Sequence, residues 1–230
     1  MTALMKYKRT PWARAIGVVA LCVLAFSSGL AEESAGVGLL ICHREQDLSQ
    51  LCVAKGSLRD IPEEYVALLA KNRQVMARHL LPNLIEKITW PEKKHEVIVI
   101  GTKVVVPDAH RHPEGAVKQH LDSGEMIVGS YPAEAFGITT GMHLLFRGRT
   151  FVVKEVHSKR GNQDDNTVWL SLSDAQELLN KKGRINLIQV LECSCAWADV
   201  EIVKSELKTI LPDAQVRVFG RTQAAPKEKK

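Results

Sequence analysis

Between Gly141 and Val156 the chain reads GMHLLFRGRTFVVKEV, and this stretch narrows the fold more than any other. Leu144, Leu145 and Phe146 are apolar β-formers, as are Phe151, Val152 and Val153, and Arg147-Gly148-Arg149 joins the two runs through a polar turn with a central glycine. That arrangement predicts a β-hairpin, because glycine admits the positive φ that a tight turn needs between twisted strands. The hairpin carries no recognisable catalytic or metal-binding pattern, so its neighbours must identify what it serves.

The neighbours alternate between strand and helix patterns. RDIPEEYVALLAKNR predicts a helix with Asp60 as cap, Pro62 in the first turn, Glu63 and Glu64 at the positive end of the dipole, and Tyr65, Leu68 and Leu69 buried. LLPNLIEKITW and HEVIVIGTKVVV read as strands joined by a turn at Pro91–Lys94. A polar stretch comes next, then the strand MIVG, the short helix YPAEAFGI, the hairpin, the loop SKRGNQDDN and the strand TVWLSL. Ser173 and Gln176 form a capping-box pattern for the helix DAQELLN, closed by Lys181-Lys182-Gly183. RINLIQVLE is a strand, ADVEIVKSELKTIL puts Val200, Val203, Leu207 and Ile210 on one helical face, and AQVRVFG is a last strand with Val216 and Val218 inward. The expected class is α+β, arranged as two small layered α/β subdomains. The expected organisation is a signal or anchor over 1–31, a lead-in over 32–50, the domain over 51–221 and a polar basic tail over 222–230.

The net charge of +5 sits at the ends rather than on a face. Lys6, Lys8, Arg9 and Arg14 open the chain, and Lys227, Lys229 and Lys230 close it. Nucleic-acid binding calls for a basic face, so it is not expected. The front end has a different reading. Its basic residues precede the apolar run Ala15–Phe26 and the small residues of SSGLA, as in a secretory signal. Extended to Ala31, the run reaches the lower limit for a membrane-spanning helix, about 17 residues. Cleavage and anchoring both remain open; either exports the rest of the chain, to the periplasm or another extracytoplasmic space. Cys22 lies inside the run behind Leu21, which argues against a lipoprotein.

Export bears on the cysteines. Beyond Cys22 there are Cys42, Cys52, Cys193 and Cys195, an even set in a compartment that permits disulfides. Structural disulfides, buried thiols and a thiolate metal site all remain open readings, and a bridge between Cys193 and Cys195 would be strained. His110, His112 and His120 near Asp108 lie in a polar loop flanked by Pro and Gly, a poor frame for a metal. GNQDDN lacks the ligand alternation and closing Glu of a calcium loop and reads as a polar turn. Walker A, GxSxG, HExxH and CxxC patterns do not occur. The sequence therefore predicts a non-catalytic protein with no cofactor. Its exposed loops would be the contact surfaces, through Asp108, His110, His112 and His120 and through Lys159, Arg160, Asp164 and Asp165.

The second half resembles the MacB-like periplasmic core domain of ABC-transporter permeases of the MacB, FtsX and lipoprotein-release type. The residues that carry the likeness are FGITTG (Phe136–Gly141) before the hairpin, Asp165 near the end of the loop after it, Val168–Leu172, Asp174-Ala175-Gln176 opening a helix, and the closing LPDAQV. It extends over Leu51 to Ala225 and is strongest from Gly124. The resemblance implies a domain that docks a periplasmic partner or transmits movement driven by a cytoplasmic ATPase, with no catalytic residues. Permeases of this type have one membrane helix before the domain and three after it, whereas this sequence ends in RTQAAPKEKK with no second long apolar run. The expectation is thus a domain that forms no translocation path by itself. It would work with ABC-type ATPase and permease subunits or a periplasmic partner, and touch the membrane through an uncleaved N-terminus. A free-standing binding module for a lipid, peptide or protein is the alternative.

Overall fold

The computed structural model describes residues 38–47, 58–72, 79–107, 121–191, 205 and 207–219. The elements run β1 (Gly38–His43), β2 (Ile61–Pro62), α1 (Glu64–Lys71), β3 (His79–Trp90), β4 (His95–Thr102), β5 (Glu125–Val128), α2 (Ser130–Phe136), β6 (His143–Phe146), β7 (Arg149–Val156), β8 (Thr167–Ser171), α3 (Leu172–Leu178), β9 (Arg184–Ile185), β10 (Leu187–Leu191) and β11 (Ala214–Phe219). Short 3-10 turns occupy Pro91–Lys93 and Gln163–Asn166. Nine strands form one sheet in the order β11-β1-β10-β3-β4-β8-β5-β7-β6, and β2 pairs with β9 apart from it. The class is mixed α/β with few helices, as the alternating patterns predict.

The two halves of this single sheet are joined through β3, where two layered subdomains were expected. His79–Asn83 pairs antiparallel with β10, and Asn83–Trp90 pairs antiparallel with β4. At the changeover the ladder is continued by a side chain. Asn186 is fully buried; its Oδ1 accepts from Ile85 N at 2.9 Å and its Nδ2 donates to Ile85 O at 2.8 Å. A buried amide that makes both bonds is no longer a liability, because its desolvation is compensated.

Alternation along the strands sorts side chains onto two faces. Leu39 and Ile41 of β1, Val97 and Val99 of β4, and Val168 and Leu170 of β8 enter the main core with Tyr65, Val66 and Leu69 of α1, Ala133 of α2 and Leu172 and Ala175 of α3. The opposite face buries Leu40, Cys42 and Leu187 with Leu58 in one cluster, and Ile127 and Trp169 with Leu121 in another. α3 lies close on β4: a Cβ at Gly101 would stand 2.2 Å from that of Ala175, so only glycine permits this packing.

Three boundaries differ from the sequence reading. Gly38–His43, within the stretch expected to lead into the domain, is a strand between β11 and β10. α1 begins at Glu64 without a side-chain cap, and Asp60 instead meets Lys181 Nζ at 3.1 Å. The cap of α3 is Ser171, whose Oγ accepts from Asp174 N, and not Ser173. Gln176 points elsewhere, donating to Glu63 Oε2 at 2.8 Å and Arg184 O at 3.0 Å. Among the described residues, no helix is long and apolar enough to cross a membrane. The segment read as a signal or anchor lies outside the described residues, as do Val200, Val203 and the basic tail.

Candidate functional site

The opening hairpin is β6–β7, with Arg147 and Gly148 as a two-residue turn at φ 51° and 78°. Positive φ is strained for arginine and free for glycine. Glu92 compensates, since its carboxylate accepts from Arg147 N at 3.2 Å and Gly148 N at 2.9 Å. Burial tends to raise the Glu92 pKa, yet these amide bonds outweigh it and hold the carboxyl below the usual range. Trp90, fully buried, donates Nε1–H to Leu145 O at 3.1 Å and packs edge-on against Phe146 at 4.8 Å. The hairpin is therefore clamped to the β3 end at its turn and at β6. Its outer side shows Leu145 at 50% exposure and Val152 at 37%.

The DAQ phrase has a structural job. Asp174 is buried, and it accepts from Ser123 Oγ and Gly124 N, both at 2.8 Å, while Arg149 Nη2 approaches to 2.7 Å. Arg149 also reaches Glu177 at 2.9 Å and lies over the Phe151 ring at 5.2 Å. One carboxylate thus ties α3, the turn before β5 and the start of β7. A second network joins the halves: Lys181 bridges Asp60 and, at 2.8 Å, Glu86, while Glu63 takes Lys103 and Gln176. Burial alone would lower the Lys181 pKa, but its two carboxylates raise it. Glu63 borders an open cleft of about 670 Å3 lined also by Val66, Lys103 and Arg184.

The loop after β7 folds inward. Asp165 accepts from Arg160 N and Gly161 N, both at 2.7 Å, and from Ser130 Oγ at 3.0 Å. Asp164 is buried with Arg160 Nη1 3.0 Å away, and its N–H is capped by Asn162 Oδ1 at 2.9 Å. The two acids shift oppositely. Burial raises Asp164 against the pull of Arg160, whereas for Asp165 the hydrogen bonds outweigh burial and lower it. α2 sits tightly on this loop, for a Cβ at Gly129 would fall 2.3 Å from Asp164 O and 2.7 Å from Asp165 O. Asn162 and Gly161, the latter at φ 73°, are the sequence marks of this turn.

Of the expected contact residues, Lys159 is exposed, Arg160 is exposed but turns its guanidinium to Asp164 with the side chain 25% exposed, Asp164 is buried and Asp165 is half-buried. Asp108, His110, His112 and His120 lie outside the described residues. Among the described residues Cys42 is a buried cysteine without a disulfide partner, and burial pushes its thiol up to about 11 although Arg217 opposes the shift. Such a thiol is protonated and inert at neutral pH. It pairs with Leu187 at the far end of the β1–β10 ladder from Leu191. Cys52, Cys193 and Cys195 lie outside the described residues. Among the described residues, no group of three or more His, Cys, Asp or Glu side chains is placed to hold a metal. Sequence reasoning missed the Asp174–Arg149 pair and the buried His157, since nothing in a local pattern reports a contact between distant strands.

The sequence matches no family model and no curated protein. Solved structures do match. The extracellular domain of YknZ, a noncanonic ABC-type transporter from Gram-positive bacteria, superposes with TM-score 0.54 at 12% identity, over 78% of this chain and 99% of that one. The periplasmic region of MacB from Actinobacillus actinomycetemcomitans gives TM-score 0.53 at 11% identity, over 86% of this chain and 93% of that one. The fold is that of the MacB-like extracytoplasmic domains of ABC-type transporter permeases.

Proposed function

We propose that this chain is a non-catalytic extracytoplasmic domain that docks or assembles components of an ABC-type export system. The observation that supports the reading best is the likeness to the MacB periplasmic region, which spans nearly all of that region. The chemistry agrees with it. Asp174, Asp165, Asp164, Glu63 and Lys181 each engage charged or hydrogen-bonding groups of the fold itself. Their carboxylates and amine serve as staples between elements, and a staple that is already engaged is a poor general acid or base. In this reading the basic N-terminal segment stays on the cytoplasmic side and the domain is exported. Lys159 and Arg160 present the charged part of the docking surface, and an ABC-type ATPase with its permease subunits, or a periplasmic partner protein, is what it meets.

A photo-cross-linking amino acid placed at Lys159 in the full chain, expressed in its own cell, tests this. Adducts with an ABC-type permease or its periplasmic partner are the expected result. Adducts confined to proteins outside any transport system would overturn the reading and favour a free-standing binding module.

A further inference from the structure

His157 directly follows β7 and packs onto the second face of the sheet. Its N–H donates to Val128 O of β5 at 2.9 Å, and its ring lies 4.6 Å from the ring of Trp169 on β8. The residue is 6% exposed, and among the described residues Nδ1 has no hydrogen-bond partner. A neutral imidazole tolerates such a place, since its aromatic ring packs at a 53° tilt against the indole. An imidazolium does not, because its second N–H would be buried without an acceptor.

The surrounding charges sharpen the contrast. From β7, Glu155 Oε1 is 3.6 Å from Nε2, but that carboxylate is more than half exposed and screened. From the segment after β7, Arg160 adds like charge, and its guanidinium is held near by Asp164. Asp165 is committed to Arg160 N, Gly161 N and Ser130. β8 contributes the uncharged Trp169 and β5 the apolar Ile127 of the same cluster. Lys154 of β7 meets Glu125 of β5 at 2.6 Å, and the same carboxylate accepts from Asp122 N at 3.0 Å. Burial first, and Arg160 second, hold the imidazole below its ordinary pKa against the smaller pull of Glu155.

We propose that His157 is an acid-sensitive latch: packed as a neutral ring against Trp169 and bonded to Val128 O, it fixes the exit of β7 from which residues 158–162 leave, and protonation loosens that exit. The sign comes from linkage. A histidine whose folded pKa is depressed binds its proton more readily once released, so the closed form loses stability as pH falls below the ordinary value of about 6.5. Below the folded pKa the loss levels off. The segment that starts there carries Lys159 and Arg160, so the latch would couple this loop to pH whether or not the docking reading holds.

Amide exchange of His157, Arg160 and Gly161 in the full chain, corrected for intrinsic rates, is measured from pH 7.5 to 5 together with the NMR titration of the His157 ring. Exchange is expected to rise by up to about tenfold per pH unit below about 6.5, in step with a ring titration whose midpoint is depressed. His157→Phe keeps a ring on Trp169 and removes the proton site, so its exchange should not rise. His157→Gln serves the same comparison if the phenylalanine variant does not fold. A flat wild-type profile, a ring midpoint at or above 6.5, or a rise that persists in the variants each overturns the latch. The wild-type measurements decide even if neither variant folds.

Discussion

Two carboxylates at opposite ends of β8 do similar work in different settings. Asp174, buried in the first turn of α3, gathers Ser123, Gly124 and Arg149 from sequence positions far from its own. Asp165 lies nearer the surface and gathers Arg160 and Gly161 from its own loop, with Ser130 from α2. The first fixes which strands and helices lie together; the second fixes only how one loop closes. Removing a long-range staple should therefore loosen the domain as a unit, and removing a local one should open a small part of it. This division suits a protein with a stiff frame and a responsive edge.

The largest effect should come from Asp174→Ala. It strands the half-buried Arg149 beside Phe151 and frees the turn at Ser123-Gly124. Truncating a buried, hydrogen-bonded charge costs about 3–5 kcal/mol. The partial exposure of Arg149 puts this case near the lower end, about 3 kcal/mol in urea unfolding. Exchange protection should fall in β5, β7 and α3 together. A loss confined to the 123–124 turn would mean that Asp174 is no more global than Asp165.

How much of this could be read in advance obeys the same division. The hairpin, the short helix before it and the helix after β8 were legible because alternation, turn glycines and capping residues act within a few positions. β1 was not, since GLLICH is apolar on both faces and shows no alternation. Nor was the single sheet, which depends on β3 changing partner at Asn83 and on bonds such as Asn83 to Gln189 across 106 positions. In the loop, polarity marked Lys159, Arg160, Asp164 and Asp165 as surface residues together. Only the turn geometry at Gly161 and Asn162 separates exposed Lys159 from the carboxylates directed inward and from the Arg160 guanidinium that Asp164 holds.

Next in size is Gly129→Ala. The added Cβ meets backbone oxygens of Asp164 and Asp165, which cannot swing aside as a side chain can. Overpacking of this kind costs about 1–3 kcal/mol, and about 2 is expected here. Because the clash falls on the local staple, increased exchange should concentrate in residues 158–166. If β5 and α3 opened equally, the loop would belong to the frame.

Asp165→Asn should cost less, about 1 kcal/mol, because the amide still accepts one backbone bond while its NH2 opposes another. The pH dependence identifies the cause. Asp165 has its folded pKa lowered, so its contribution is full above the ordinary carboxylate pKa and is lost as pH falls through the folded value. The gap between wild type and variant in urea midpoints should be complete at pH 7 and close in that acid range. A constant gap at all pH values would assign the effect to shape rather than charge.

The smallest effect tests whether charge alone makes a staple. Lys87 and Glu96 face each other only diagonally across neighbouring strands, Lys87 pairing with Ile98 and Glu96 with Thr89, yet their charged ends meet at 2.7 Å. Both are exposed, so solvent screens the pair and the two long side chains lose freedom in making it. Lys87→Met should change stability by less than about 0.5 kcal/mol, with no local rise in exchange. The distance is as short as that between Arg149 and Asp174, so the comparison isolates burial and additional partners as the source of strength. A loss as large as that of Asp174→Ala would show that proximity by itself is enough, and the distinction between frame and edge would have to be drawn on other grounds.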